Sequence, residues 1–126
     1  MTISQKIGTI LRETIASPTT ASYAVQNSKG DTVVLRQNGV LRNMDLSGAD
    51  LSGLNLSGIT LDHVNLDNAN LTETNLCGAN LIGASLDGAI LTLTRFQGAT
   101  LKDVTLQNVR FDASPIGLSK EMINAK

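Results

Sequence analysis

The sequence predicts an all-β solenoid in which every five residues form one short side and one corner of a coil. Two observations support this prediction. A large apolar residue, Leu or Phe, stands at every fifth position from Leu41 to Phe111, and the residue two positions earlier is usually a smaller apolar one. A period of five matches neither the helical period of 3.6 residues nor the strand period of two. The two apolar positions of each pentad therefore point inward, and the other three face water.

The predicted core is formed by the large apolar residue of each pentad. Aromatic residues make up only 2% of the chain, so the interior must be filled by Leu, Ala and Val. The core residues are Leu46, Leu51, Leu56, Leu61, Leu66, Leu71, Leu76, Leu81, Leu86, Leu91, Phe96, Leu101, Leu106 and Phe111. Gly or Asn stands two residues after most of them. Both residues tolerate the positive φ that the third position of a type II turn requires, which places the corners there.

Several pentads share one sequence form. The segments Ala49–Gly53, Ala69–Glu73 and Ala79–Gly83 read A(D/N)LxX, and the region from Gly39 to Ala113 resembles pentapeptide repeat proteins. This resemblance implies a right-handed quadrilateral β-helix with four pentads per turn, or about 3.75 coils. It is most similar to small bacterial, notably cyanobacterial, single-domain members of that family.

Four pentads per turn would stack residues that lie twenty positions apart into ladders along four faces, which we number one to four from the pentads of Leu41, Leu46, Leu51 and Leu56. The third face then has the core residues Leu51, Leu71, Leu91 and Phe111. Its corner positions hold Gly53, Glu73, Leu93 and Ala113. Because three of these four residues are not glycine, we expect type I-like turns at this corner, with Leu93 outside the region of positive φ.

Residues 1–38 are expected to cover the N-terminal end of the solenoid, which would otherwise expose core and sheet edge. Pro18 ends a predicted capping α-helix. Its apolar stripe consists of Ile3, Ile7, Ile10, Leu11 and Ile15. Residues 19–38 surround a turn-forming segment and fit either a hairpin or a degenerate first coil. At the other end Ser114 and Pro115 break the repeat, and residues 114–126 are expected to form a C-terminal cap.

Charge and composition exclude several classes of function. Ten basic and eleven acidic residues give a net charge of -1, which argues against a surface that binds nucleic acid directly. No apolar run is long enough for a membrane span or a secretory signal. The single cysteine, Cys77, suits a reducing compartment, so we expect a cytoplasmic protein.

Catalytic chemistry finds little support in the sequence. His63 is the only histidine and Cys77 the only thiol, and both fall at outward positions on neighbouring corners. One side of the coil would separate them by roughly 10 Å, whereas a nucleophile and its base need about 3 Å. Asp67 and Asp87 stack one coil apart, but a calcium site needs about six to eight oxygen ligands. We therefore predict a non-enzymatic protein with no catalytic residue, no cofactor and no metal site.

Three apolar residues stand where the pentad pattern favours polar ones, namely Ile82, Ile90 and Leu93. Ile90 and Leu93 flank one core leucine of the third face. Scattered exposed apolar residues are common and often without consequence. Two of them on one rigid face could instead mark a contact with another protein or a weak self-association. The leading hypothesis is thus a rigid protein-interaction or structural module, either a monomer or a weak homodimer.

The resemblance implies a second hypothesis. Some pentapeptide repeat proteins that protect DNA gyrase from quinolones are acidic rods thought to mimic duplex DNA, so this chain could be a DNA-mimic regulator of a type II topoisomerase. Residues 39–113 hold eight acidic and four basic residues, which makes the solenoid only mildly acidic. The chain is also about half the usual length of those proteins, and no projecting loop interrupts the pentads.

Overall fold

The computed structural model describes residues 21–119. Two strands, β1 (Ser22–Gln26) and β2 (Thr32–Arg36), precede a continuous stack of coils. The helix predicted for residues 3–15 and the last residues of the predicted C-terminal cap lie outside the described residues.

The coils are held together by parallel backbone pairing between residues twenty positions apart. This pairing begins at Val40 with Thr60 and continues to Ile90 with Arg110. The backbone hydrogen bonds between two coils run in both directions. The Leu46 amide donates to the carbonyl oxygen of Asn65 in the following coil, and the Asn65 amide donates to the carbonyl oxygen of Met44 in the preceding coil. Each coil thus contains twenty residues, or four pentads, and the predicted β solenoid is confirmed.

Each corner from residue 43 to residue 108 has positive φ at its third position, including those of the third face. The prediction of type I-like turns there is wrong, since φ is 57° at Glu73 and 53° at Leu93. The reason is hydrogen bonding between coils. The Glu73 amide donates to the carbonyl oxygen of Thr92 at 2.9 Å, as the Gly53 amide does to that of Thr72. Stacking therefore imposes one backbone conformation on glycine, glutamate and leucine alike.

The N-terminal end is covered by an antiparallel hairpin, which resolves the two alternatives for residues 19–38. β1 and β2 pair from Ser22 with Arg36 to Gln26 with Thr32. The turn between them is organised by Asn27, whose side-chain oxygen accepts hydrogen bonds from the amides of residues 29 and 31. The inner face of the hairpin belongs to the same apolar core as the coils and consists of Tyr23, Val25, Val33 and Leu35.

The hairpin is joined to the first coil at two corners. The Ser28 amide donates to the carbonyl oxygen of Ser47 at 2.6 Å, and the Asn38 amide donates to that of Ser57 at 3.0 Å. The side-chain amide of Asn27 adds a bond of 2.8 Å to the carbonyl oxygen of Asp45. These bonds seat the hairpin on the end of the stack, so its buried face continues the core.

The core leucines at every fifth position from Leu46 to Leu91, together with Phe96 and Leu101, are buried as the sequence predicts. The last two predicted core residues differ. Leu106 is only partly buried, and Phe111, at 48% exposure, is not a core residue. Both belong to the final coil, and no coil of the described residues stacks beyond it. Position in the pentad directs a side chain inward, but only a following coil removes it from water.

The pentad register shifts by one residue near the C-terminal end. Arg95 pairs with Ile116, twenty-one residues away, and the Phe96 amide donates to the Ile116 carbonyl oxygen at 2.7 Å. The extra residue lies between Arg110 and Ala113, because the Leu91 amide bonds nineteen residues ahead, to Arg110, whereas the Leu93 amide bonds twenty residues ahead, to Ala113. This position is just before Ser114 and Pro115, where the repeat was expected to break. Pairing nevertheless continues past the break, and Leu118 packs against the core.

Candidate protein-contact surface

The third face presents the residues on either side of each buried leucine. The residues that precede these leucines pair along the face in one parallel ladder, and they are Asp50, Asn70, Ile90 and Arg110. The ladder is polar near the hairpin and becomes apolar at Ile90. The third face is therefore polar near the hairpin and partly apolar over the last two coils.

Ile90 and Leu93 lie on this face and are both half-buried. The backbone around them is fixed by bonds to the next coil, from the Leu91 amide to Arg110 at 2.7 Å and from the Leu93 amide to Ala113 at 3.2 Å. Positive φ at Leu93 turns its side chain away from the position that a type I turn would give it. The two residues are thus held by a rigid backbone.

Phe111 lies in the coil that follows Leu91 on the same face, and its ring is half exposed because no coil of the described residues stacks beyond it. The charged side chains of Arg110 and Asp112 flank the ring in sequence and are exposed. The Asp112 amide donates to the hydroxyl oxygen of Thr92 at 3.1 Å, which ties the last coil to the one before it. We define the third-face patch as Ile90, Leu93, Arg110, Phe111 and Asp112.

Ile82 lies apart from this patch. It belongs to the first face, where its carbonyl oxygen accepts a bond from the His63 amide at 2.8 Å and its amide donates to the side chain of Asn80 at 3.0 Å. Its neighbours along the ladder are Asp62 and Lys102. Of the three residues singled out in the sequence, the fold brings together Ile90 and Leu93 but not Ile82.

A second exposed apolar area lies at the N-terminal end and was missed by the sequence analysis. Val34 is 50% exposed and Val40 is 58% exposed. They line a hollow of about 210 Å³, which we name the N-terminal hollow, formed by Val34, Arg36, Gly39, Val40, Leu41 and Ile59. Val40 precedes a core leucine in the same way as Ile90, so the rule that identified Ile90 would have identified it too.

His63 and Cys77, the residues considered for catalysis, lie on different faces and contact other side chains. His63 Nδ1 lies 3.6 Å from an oxygen of Asp62, on the first face. The Cys77 thiol donates to the side-chain oxygen of Gln97 at 3.3 Å, on the fourth face. Within residues 21–119 no group of three or more His, Cys, Asp or Glu side chains is arranged to hold a metal ion.

The stacked carboxylates bond to the next coil. One oxygen of Asp67 accepts from the Asp87 amide at 3.0 Å and from the hydroxyl of Ser85. One oxygen of Asp87 accepts from the Gln107 amide at 2.9 Å. The acidic ladder thus contributes to the stacking of coils on the second face.

The carboxyl group of Asp45 has a lowered pKa. Asp45 accepts bonds from the Ser47 hydroxyl at 2.6 Å and from the Ser47 amide at 2.9 Å, and Lys29 lies 3.1 Å from its other oxygen. These contacts, the hydroxyl bond first, stabilise the carboxylate and lower the pKa of Asp45 from 3.8 to about 2. The ion pair also joins the hairpin turn to the first coil.

Among the described residues there is no helix of the length and apolarity needed to cross a membrane.

Three solved structures are similar to this chain, and the first of them supports its architecture. A pentapeptide repeat protein from the thylakoid lumen of Arabidopsis thaliana is 26% identical, with a TM-score of 0.58 over 64% of this chain and 61% of that chain. A pentapeptide repeat protein from the cyanobacterium Cyanothece is 30% identical, with a TM-score of 0.37 over 64% and 61%. HetL from the cyanobacterium Nostoc, which is involved in the regulation of heterocyst differentiation, is 34% identical, with a TM-score of 0.31 over 56% and 38%. This chain thus spans less than two thirds of each of these proteins.

No sequence among the curated proteins matches this chain. The family model of pentapeptide repeats matches in eight copies over residues 37–62, 55–92 and 79–114. These matches cover the same coils that the backbone pairing defines. With its twenty-residue coils and buried leucines, the chain belongs to the family of pentapeptide repeat proteins.

Proposed function

We propose that this chain is a non-enzymatic, rigid protein-interaction module and that it binds another protein through the third-face patch. The observation that carries the proposal is the pair of half-buried apolar residues Ile90 and Leu93 at surface positions of one face, with the half-exposed Phe111 in the next coil of that face. Protein interfaces commonly combine an apolar centre with a charged rim, and aromatic residues and Arg are enriched in them. Arg110 and Asp112 would form that rim.

The rigidity of the face supports the same proposal. Intercoil bonds at Leu91 and Leu93 hold the backbone beneath the patch. A surface that is already ordered loses little conformational entropy on binding, so even a modest apolar area can contribute to affinity.

The free thiol of Cys77 is consistent with a reducing compartment such as the cytoplasm.

The proposal includes the finer architecture. We propose a right-handed, four-sided β-helix of about 3.75 coils. Parallel pairing at intervals of twenty residues supports four pentads per coil, and right-handed connections between parallel strands are strongly favoured in proteins. We also propose that residues 3–15 form a helix over the N-terminal end.

The test is an affinity capture from a lysate of the source cell with three baits. They are the wild type, the double variant Ile90→Asp/Leu93→Asp and a control, Asn70→Asp/Thr72→Asp, which adds the same charge to the polar part of the same face. Aspartate tolerates positive φ better than leucine, so Leu93→Asp should preserve the corner. Thermal unfolding followed by circular dichroism verifies that all three baits are folded.

A protein retained by the wild type and the control but lost from the double variant supports the proposal. Proteins retained equally by all three baits contradict it, because the patch would then contribute nothing to binding. A topoisomerase retained by all three would favour the DNA-mimic hypothesis. Its binding should then weaken with added salt and with Asp67→Asn/Asp87→Asn, because charge would dominate that contact. Sedimentation of the wild type and the double variant tests for a weak homodimer through the same patch.

A further inference from the structure

The N-terminal hollow exposes apolar surface that the closure of the core does not require. Tyr23 and Val25, on the inner face of the hairpin, are buried and already cover the end of the first coil. Val34 alternates with the buried Val33 and Leu35 along β2, and both Val34 and Val40 are about half exposed or more. Two large apolar residues around a concave surface indicate a place where another apolar element binds.

The hairpin register shows where the chain enters this region. Ser22 pairs with Arg36, and Ala24 pairs with Val34. Arg36 and Val34 both line the hollow, so the residues that precede β1 reach the hairpin beside it. Two residues of strand span about 6.6 Å, which is therefore the distance along β2 between the entry point and Val34.

The twenty residues before Ala21 carry an apolar stripe that lacks an assigned site. Its residues are Ile3, Ile7, Ile10, Leu11 and Ile15. Ile15 and Ala21 are six positions apart, and an extended chain of that length reaches about 20 Å, enough to reverse direction. Pro18 lies within this connection and disfavours a continuous helix through it.

We propose that the apolar stripe of residues 3–15 occupies the N-terminal hollow and covers Val34 and Val40. This inference rests on the proposed N-terminal helix and assigns it one surface beside the hairpin, where Leu41 and Ile59 of the first coil line the hollow together with Val34 and Val40. Glu13 can pair with Arg36, the one charged residue that lines the hollow, and Lys6 and Arg12 must then lie away from it.

Methyl nuclear Overhauser spectroscopy on the full chain tests this contact. With Ile and Val methyl groups labelled, we expect cross-peaks from at least two of the isoleucines in residues 3–15 to Val34 or Val40. Carbon chemical shifts of residues 3–15 report separately whether the helix forms. Helical shifts without these cross-peaks would overturn the docking while leaving the helix in place. Cross-peaks that arise only between differently labelled molecules would also overturn it, because the occupant would then be a second copy.

Limited trypsin digestion gives an independent readout. Trypsin cleaves after Lys6 and Arg12, and docking should protect both bonds. In the double variant Val34→Asp/Val40→Asp we expect cleavage at these sites to accelerate by about tenfold, because the docked state would be disfavoured. Both valines are exposed, so their substitution should leave the hairpin folded. The amide and ring signals of Tyr23 verify that it is intact.

A matched control carries the same charge change at the opposite end of the solenoid, in the variant Ile90→Asp/Leu93→Asp. Its cleavage rates at Lys6 and Arg12 should equal those of the wild type. Equal rates in wild type and the Val34→Asp/Val40→Asp variant would contradict the docking. Acceleration in both double variants would contradict it too, since the effect would then come from charge alone.

Discussion

The hydroxyl of Thr94 donates a hydrogen bond of 2.7 Å to the carbonyl oxygen of Leu71, twenty-three residues earlier in the chain. Thr74 makes the equivalent bond of 2.8 Å to Leu51. Both threonines are fully buried and occupy the small inward position of their pentads. The two bonds tie successive coils together at the corner that follows the third face, next to the strained backbone of Leu93.

Replacing Thr94 with Val should lower the free energy of unfolding by about 1 kcal/mol, the net value of a typical internal hydrogen bond. The loss should be no larger, because the Leu71 carbonyl oxygen also accepts a bond from the Thr74 amide at 2.9 Å and would keep a partner. Urea unfolding measures the change. Thr94→Ser is the control, since it retains the hydroxyl; a larger loss for Thr94→Ser than for Thr94→Val would contradict the role of this bond.

The burial of each core residue should determine how much it contributes to the free energy of unfolding. Leu71→Ala, in a central coil, should cost about 2–5 kcal/mol because the cavity that it leaves cannot collapse. Phe111→Ala should cost only about 1 kcal/mol, although it removes a larger side chain, because the ring is already half exposed. Urea unfolding of both variants tests the comparison, and equal losses would show that Phe111 is buried in solution.

Positive φ at Glu73 predicts that glycine is the better residue there. A left-handed conformation costs a residue with a β-carbon about 1–2 kcal/mol, and glycine loses about 0.5–1 kcal/mol of backbone entropy on folding. Glu73→Gly should therefore stabilise the protein by up to about 1 kcal/mol, measured as a shift of the urea midpoint.

The reverse substitution on the same corner provides the control. A β-carbon added at Gly53 would meet open space, so Gly53→Ala changes only the backbone preference. It should destabilise the protein by about 1 kcal/mol. If Glu73→Gly and Gly53→Ala shifted the urea midpoint in the same direction, the assignment of strain to this corner would be wrong.

The pKa of Asp45, lowered from 3.8 to about 2, predicts a loss of stability in acid. A carboxyl group whose pKa is lower in the folded state stabilises that state above its unfolded pKa. This contribution is lost as the pH falls from 3.8 towards 2. Asp45→Asn should lower stability at pH 7 and flatten its dependence on pH over that interval.

Two further variants separate the causes of this shift. Ser47→Ala removes the hydroxyl bond, and Lys29→Ala removes the exposed ion pair. Nuclear magnetic resonance titration of the Asp45 carboxyl should show the larger rise in pKa for Ser47→Ala, because exposed ion pairs contribute little. A larger rise for Lys29→Ala would assign the shift to the ion pair instead.

Much of the fold could be predicted from the pentad pattern. The period of five requires two inward positions per pentad, and the leucines from Leu46 to Leu101 are buried accordingly. The residues Ile90 and Leu93 could be assigned to one face for the same reason, since a strict repeat converts sequence position into spatial position. The local sequence was therefore enough to predict burial and face wherever neighbouring coils are equivalent.

Burial at the ends of the stack and the backbone conformation at the corner of the third face could not be predicted in the same way. Phe111 continues the pattern, yet its burial depends on whether another coil follows. Leu93 has an unfavourable residue type for positive φ, yet its amide bonds to Ala113 and its neighbour Thr94 bonds to Leu71. Hydrogen bonds between coils outweigh a local preference of about 1–2 kcal/mol per residue.

The sequence by itself determined the repeat, the identity of the core and the order of residues along each face, because each follows from a fixed period. The tertiary structure alone decided that residues 22–36 form a hairpin over the first coil, that Phe111 is half exposed at the end of the stack, and that Val34 and Val40 line a hollow. These features depend on what lies next to each residue in space. At the two ends of a solenoid, where the repeat stops, the sequence period no longer specifies that neighbour.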